Sequence, residues 1–259
     1  MSAATWAQVG QLSARSVVRT ARQPAYVFPP LLFPMLLVAV NAGGLRPSTV
    51  LEGFPTDSFL AFAIAVPFVQ GALFATMNAG TELARDIQTG FLNRLALTPL
   101  RGSALLAGHL AGVGAMSVLQ AVFYLCVGLI AGVDLASGAG GGIVILALAA
   151  VIAAAFGMLG AFLALRTGSG ESVQAMFPVL FVFLFISSMN TPRDLIDQDW
   201  FRALATINPV SYLIEAVRSL IITGWDGQAL ALGFGVATLL LVLSTALATY
   251  ALGRRMERT

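Results

Sequence analysis

The stretch LARDIQTGFLNRLALTPLRGSALLAGHLA, residues 83–111, separates two long apolar runs with a charged segment. Its polar half carries charged side chains in a chain that has few of them: Arg85, Asp86, Arg94 and Arg101. Apolar residues nevertheless recur at helical spacing: Ile87, Phe91, Leu92 and Leu95. Pro99 ends this pattern, and Ser103 can cap the helix that follows. The pattern predicts a short amphipathic helix over about 84–98, stiffly joined to the apolar helices on either side.

The composition around this segment is that of a membrane protein. Hydrophobic residues make up 58% of the 259 positions and charged residues only 10%, whereas a soluble domain carries about 25% charged residues. The mean hydropathy is +0.88, so most side chains must face lipid or other apolar helices. We therefore predict an all-α integral membrane protein with a single membrane domain.

Six apolar stretches are candidates for transmembrane helices, which need about 20 residues to cross a hydrocarbon core of about 30 Å. They are residues 25–44, 58–80, 103–133, 141–165, 174–190 and 227–252. The fifth of them is the shortest. Together they predict a six-helix domain over 25–252, with an N-terminal segment 1–24 before it and a tail 253–259 after it.

The stretch ATINPVSYLIEAVRSLIITG between the last two spans looks like a further span until its charges are placed. Glu215 and Arg218 would lie near the middle of the bilayer, at a cost of about 2.5–3.5 kcal/mol each on insertion scales. Asn208 is a suitable N-cap, and Pro209 is a suitable first helical residue. We predict an external amphipathic helix over about 208–223 that lies at, or dips into, one membrane surface. On it, Glu215 and Arg218 would pair at i, i+3.

The distribution of arginine predicts the orientation, because all 14 basic residues are arginine. With six spans, most of them fall on one side, in the N-terminal segment, the loops after the second and fourth spans, and the tail. The opposite side holds fewer arginines and most of the acidic residues. By the positive-inside rule, both termini and the 84–98 segment lie in the cytoplasm. Residues Trp6–Gln23 suit an amphipathic helix on the inner membrane surface.

Five residues inside the predicted spans are candidates to line a translocation pathway: Gln70, Asn78, Phe181, Ser187 and Asn190. The simpler interpretation of the polar ones is hydrogen bonding between helices, at about 0.6 kcal/mol each. A sparse polar lining for a cargo fits the same pattern, and the aromatic residues of the fifth span fit either packing or a path for apolar cargo. Both interpretations remain open. No acidic or basic residue lies centrally in a predicted span, which argues against a proton-coupled pump.

Several kinds of chemistry lack the residues that they require. Without lysine, the chain cannot contain the GxxxxGK[ST] loop that cradles nucleotide phosphates. The single cysteine, Cys126, excludes an intramolecular disulfide, and the single histidine, His109, has no Cys, Asp or Glu at metal-ligand spacing. We expect no catalytic site, metal or cofactor in this chain, and no nucleic-acid partner.

Three motifs, in chain order, resemble those of ABC-2 type transporter permeases, especially the daunorubicin-exporter type. RQPAYVFPPLLFPMLL, residues 22–37, resembles the family's entry into its first span. RDIQTGFLNRLALTPLRGSALLAGHLA, residues 85–111, is similar to its coupling region, and INPVSYLIEAVRSLI, residues 207–221, resembles its external Asn-Pro motif. Gln88 and Asn93 depart from the pattern, since the family often has acidic residues at these positions.

The resemblance implies a permease subunit that contacts membrane lipids and pairs with a second permease, either identical or a paralogue. Two separate ABC ATPase subunits would bind ATP and Mg. The 84–98 helix would dock on the ATPase through a surface formed by Asp86, Gly90, Phe91, Leu92, Arg94, Leu95 and Pro99. The external helix would close the pathway through Asn208, Pro209, Glu215 and Arg218. Spans without fixed charge favour a drug or lipid-like cargo, exported across a bacterial plasma membrane. The alternative is a secondary transporter or channel that works without an ATPase.

Overall fold

The structure is a computed structural model that describes residue 10 and residues 24–90 and 102–256. Over these ranges the chain is helical, without a β-strand. Its helices are α1 (Pro24–Gly44), α2 (Phe59–Ala63), α3 (Val66–Gln88), α4 (Gly102–Ile130), α5 (Gly138–Thr167), α6 (Gly170–Gln174), α7 (Phe177–Phe185), α8 (Asp199–Ile207), α9 (Pro209–Ile222) and α10 (Gly227–Met256). Two 3₁₀ turns, Arg46–Val50 and Arg193–Leu195, precede α2 and α8. The predicted N-terminal helix Trp6–Gln23 lies outside the described residues, apart from Gly10.

Five helical stretches of the described chain are long and apolar enough to cross a membrane: Val27–Gly44, Phe59–Gln88, Leu106–Ile130, Gly138–Thr167 and Gly227–Arg255. The second combines α2 and α3. These match five of the six predicted spans. The all-α membrane fold predicted from composition and hydropathy is therefore confirmed, and the predicted number of six spans is not.

The apolar stretch 174–190 differs from its prediction, because it does not form one long helix. Helix α7 covers only Phe177–Phe185, about 14 Å at the helical rise of 1.5 Å per residue. It ends where the side-chain amide of Asn208 donates to the carbonyl oxygens of Phe183 and Ile186, at 2.5 and 3.1 Å. A side chain distant in sequence thus caps this helix, and hydropathy alone does not reveal such a stop.

The second span is interrupted at Ile64–Ala65, between α2 and α3. Pro67 has no backbone N–H, so it cannot donate to the carbonyl of Ala63 four residues earlier. Carbonyl groups at the end of α2 therefore need donors from elsewhere in the protein. Beyond the interruption, α3 continues without a break to Gln88.

Helix α5 occupies the centre of the bundle, where it packs against α3, α4 and α10. Its contact with α3 is close because both helices carry a glycine there. A Cβ atom added to Gly80 of α3 would lie 2.7 Å from the carbonyl oxygen of Gly160 on α5. Small residues let helix backbones approach in membranes, where van der Waals packing drives association. This packing fixes the position of α3 along most of its length.

Helices α1 and α10 lie at the periphery, and only 17% of the apolar window in each is buried. Their exposed side chains are large and apolar, for example Leu36 and Val40 on α1 and Leu239 and Val242 on α10. In a membrane protein, such faces meet lipid or another apolar helix.

Candidate functional site

The end of the bundle that holds residues 83–90, 164–173 and 251–255 is called here the coupling end. Helix α3 reaches it and ends at Gln88, with Thr89 as its C-cap. Gly90 follows with φ of +69°, a left-handed conformation that favours glycine. Residues 84–88, which were predicted to begin a separate amphipathic helix, are instead the last turns of α3. Asp86 therefore lies on the second span itself, where its side chain is half-buried.

Two long-range hydrogen bonds join the segments of the coupling end to one another. Gln88 Nε2 donates to the carbonyl oxygen of Gly168 at 3.2 Å, and Arg255 Nη1 donates to that of Leu165 at 2.9 Å. A small apolar cluster lies beneath them and includes Leu83, Leu106, Leu165, Val173 and Leu252. The last turn of α3 is thus held against the end of α5 and against α6, and α10 is joined to the end of α5. The predicted docking residues Phe91, Leu92, Arg94, Leu95 and Pro99 lie outside the described residues.

The predicted pathway residues fall into two separate groups. Gln70 and Asn78 both belong to α3. Gln70 is buried, and Asn78 lines a cavity of about 30 Å³ between α3 and α4, together with Ser117 and Gln120 of α4. The Oε1 atom of Gln70 has no hydrogen-bond partner among the described residues. A cavity of this size holds about one water molecule. Asn78 thus belongs to a polar contact between two helices rather than to an open channel.

The second group lies between α1 and α7. Phe181 packs against Phe33 and Phe177, with ring centroids 6.1 and 4.6 Å apart. Ser187 is buried and donates to the carbonyl oxygen of Leu184. The Asn41 side-chain amide of α1 donates to Asn190 Oδ1 at 3.4 Å. The structure therefore does not place the five predicted residues along one continuous lining.

The opposite end of the bundle contains the segment from residue 186 to residue 222, called here the cap region. Asn208 joins its two halves, because its Nδ2 donates to the end of α7 while its Oδ1 accepts from the backbone N–H of Val210 at 3.0 Å. Pro209 follows as the first residue of α9. Most of α9 is buried against α10, α5 and α3, so this helix dips into the bundle rather than lying flat on a surface.

The predicted pairing of Glu215 with Arg218 is wrong. Glu215 instead pairs with Arg193, whose Nη2 lies 2.5 Å from Glu215 Oε2. The Arg193 guanidinium also stacks on Tyr212, 4.6 Å from the ring centroid. Partial burial alone would lower the pKa of Arg193, but the Glu215 charge and Tyr212 together raise it above its usual value. The pair ties the loop after α7 to α9.

Arg218 makes a different set of contacts, which the sequence did not predict. It is 7% exposed. Its Nε donates to the carbonyl oxygen of Phe62 at 3.1 Å, and Nη1 and Nη2 donate to those of Ser188 and Met189 at 3.0 Å each. The guanidinium also lies over the Phe62 ring, 3.5 Å from its centroid. A buried charge is tolerated when its donors are satisfied in this way.

A cavity of about 660 Å³ opens between the cap region and the start of α10. Polar residues of both signs line it, including Arg193, Arg202, Arg218, Asp194, Glu215 and Asp226. The cavity is therefore a polar vestibule above the buried part of α9.

The protein is thus a multi-pass helical membrane protein whose second span runs from the cap region at one end to the coupling end at the other. The family model described as ABC-2 type transporter matches residues 7–222 of the chain. The chain therefore belongs to the ABC-2 type transporter family. Permeases of this family work with ABC ATPase subunits.

Two curated relatives illustrate the match. The chain is 27% identical over 204 residues to the daunorubicin resistance ABC transporter permease protein DrrB1 of Streptomyces coeruleorubidus, and the match covers 75% of this chain and 66% of that protein. It is 25% identical over 214 residues to the putative transport permease ycf38 of Porphyra purpurea, with 82% of this chain and 72% of the relative covered. The chain thus spans slightly less than two thirds of the first relative.

Proposed function

We propose that this chain is the permease subunit of an ATP-driven exporter that moves a hydrophobic or amphiphilic cargo, drug-like or lipid-like, out across a bacterial plasma membrane. Two ABC ATPase subunits would bind ATP and Mg on the cytoplasmic side, and a second permease copy would complete the pathway. Both termini and the coupling end would face the cytoplasm. The arginine-rich loops at that end support this orientation.

The observation that carries the proposal is the continuity of α3. This helix runs unbroken from the interruption at Ile64–Ala65 to Gln88, and most of the predicted docking segment follows after Gly90. Gln88 and the apolar cluster of the coupling end hold its last turn against α5. Movement of an ATPase bound to residues 91–99 would therefore be transmitted through α3 towards the cap region.

The proposal is tested by purifying the chain with its candidate ATPase and reconstituting the complex in liposomes. We expect the chain and the ATPase to elute together as a stable complex. We expect the liposomes to export an amphiphilic fluorescent probe only when ATP is present. Flux driven by an ion gradient through this chain alone would contradict the proposal.

A pair of variants localises the contact. Phe91→Asp places a charge on the predicted docking stripe, so it should weaken ATPase association by about tenfold or more while leaving membrane insertion intact. Val50→Asp adds the same charge at a side chain that is 85% exposed and belongs to a different segment, and it should leave the association unchanged. Equal association of both variants with the ATPase would show that Phe91 does not contact it.

A further inference from the structure

Arg218 joins three parts of the protein that are separate in sequence. The side chain itself belongs to α9, one of its acceptors belongs to α2, and the other two follow the end of α7. All three acceptors are backbone carbonyl oxygens, so the contact depends on backbone position rather than on the identity of the neighbouring side chains. The Phe62 ring covers one face of the guanidinium, an arrangement in which the ring attracts the cation.

These carbonyl groups are available because each lies where a helix ends. Phe62 precedes the interruption of the second span at Ile64–Ala65, and the other two residues, Ser188 and Met189, follow α7. Buried carbonyl groups without a helical partner need another donor. Arginine is suited to this task, since its planar guanidinium presents several donors in a fixed arrangement, whereas the single ammonium of lysine cannot reach three separated acceptors equally well.

The interruption at Ile64–Ala65 divides the second span into two parts with different attachments. The short helix α2 is attached to the cap region through Arg218, and α3 leads without a break to the coupling end. The Arg193–Glu215 pair, by contrast, lies wholly within the cap region. Separation of the cap region from α2 therefore breaks the contact of Arg218 with Phe62. It leaves the bonds of Arg218 to Ser188 and Met189, and the Arg193–Glu215 pair, intact within the cap region.

We propose that Arg218 is a positioning residue that holds the cap region closed on α2, and that the Ile64–Ala65 interruption is the hinge through which α3 opens it. The hinge function rests on the proposed role of the chain as an ATP-driven permease. The clamp function does not, because it concerns the closed state without nucleotide.

A cysteine at position 188 reports on the clamp. Ser188 is 0% exposed, and its Oγ has no hydrogen-bond partner among the described residues, so Ser188→Cys removes no observed contact of that hydroxyl. Cys126, which is exposed, is first replaced by alanine. The resulting protein, with Ser188→Cys and Cys126→Ala, is called the parent. Its labelling rate with a membrane-impermeant maleimide is measured in lipid nanodiscs without ATPase, on material that elutes as a single folded species.

The clamp predicts that the parent is labelled slowly and that Arg218→Gln is labelled about tenfold or more faster. This factor corresponds to the loss, from the closed state, of one hydrogen bond to a charged group. Arg218→Lys keeps the charge and should give an intermediate rate. Arg202→Gln is the matched control, because this arginine also borders the vestibule but its side chain is 45% exposed and pairs with Asp199. It should label as slowly as the parent.

Labelling of Arg218→Gln at the parent rate would overturn the clamp, and so would an equal increase in Arg202→Gln. If Arg218→Gln does not accumulate as folded protein, Arg218→Lys is used instead. Labelling of Arg218→Lys at the parent rate would then overturn the proposal. The hinge is tested with the ATPase present. We expect ATP to accelerate labelling of the parent and to have little effect on Arg218→Gln.

The two proposals fail in different ways. A complex that forms but labels at the same rate with and without ATP shows that α3 does not open the cap region, and the hinge is then wrong. Failure of the ATPase to bind the parent at all would instead overturn the proposed function, while the rates measured without nucleotide would still decide the clamp.

Discussion

Replacement of Gly160 by alanine tests the close packing of α3 on α5. A Cβ atom at position 160 would lie 2.9 Å from the carbonyl carbon of Thr76 and 3.1 Å from the backbone nitrogen of Gly80. Both are backbone atoms of α3, so no side-chain rotation can relieve the overlap. The helices must move apart, and α3 would lose part of the contact that positions it.

Two opposing effects determine the size of the change. Alanine favours a helix interior over glycine by about 0.8–1.0 kcal/mol, whereas overpacking in a close-packed interior costs about 1–3 kcal/mol. Because the clash is with backbone, we take the upper half of that range and expect a net destabilisation of about 1–2 kcal/mol. For a chain of this length, that corresponds to a decrease in Tm of about 3–6 °C.

The measurement is thermal unfolding of the purified protein in detergent, followed by fluorescence-detected size exclusion. Gly114→Ala on α4 is the matched control, because a Cβ atom there meets nothing within 4 Å. Its Tm should stay the same or rise slightly through the better helix propensity of alanine. If Gly160→Ala unfolded at the same temperature as Gly114→Ala, the close approach of the two helices would be wrong.

Two further predictions concern the cap region. Asn208→Ala removes an N-cap worth about 1 kcal/mol and leaves buried carbonyl groups of α7 unpaired, which costs about 1–3 kcal/mol. The Tm of this variant should therefore fall by more than that of Gly160→Ala. Asn208→Asp keeps the cap, so its Tm should lie between those of Asn208→Ala and the wild type. Arg193→Glu should lower the free energy of unfolding slightly, and the double variant with Glu215→Arg should recover most of that loss. We expect a coupling energy of about 0.5–1 kcal/mol in a double-mutant cycle, because both side chains are partly exposed. A coupling of zero would show that the ion pair contributes nothing to the cap region.

Features that depend on local sequence could be predicted. Five of the long helices follow from apolar runs of about 20 residues or more. The start of α9 follows from Asn208 and Pro209, because an N-cap followed by proline specifies a helix start through bonds within three residues. The class of protein follows from the same signals.

Features that depend on tertiary contacts could not be predicted. The acceptors of Arg218 are backbone carbonyl groups, which carry no residue signature, and an acidic residue three positions away suggested a pair within α9 instead. The end of α7 is set by Asn208, more than twenty residues later in the chain. The charges of Arg85 and Asp86 suggested a new helix, but they are compatible with the last turns of α3, since a helix can extend beyond the apolar part of a span.

The central claim is that the segment after α3 contacts a separate ATPase. A photoreactive amino acid at position 91 tests it most directly, with position 200 of the cap region, where the Trp200 side chain is 64% exposed, as the control. In the intact complex, illumination should crosslink position 91, and not position 200, to the ATPase subunit. Crosslinking from position 200 alone, or none from position 91 while the complex remains assembled, would contradict the account.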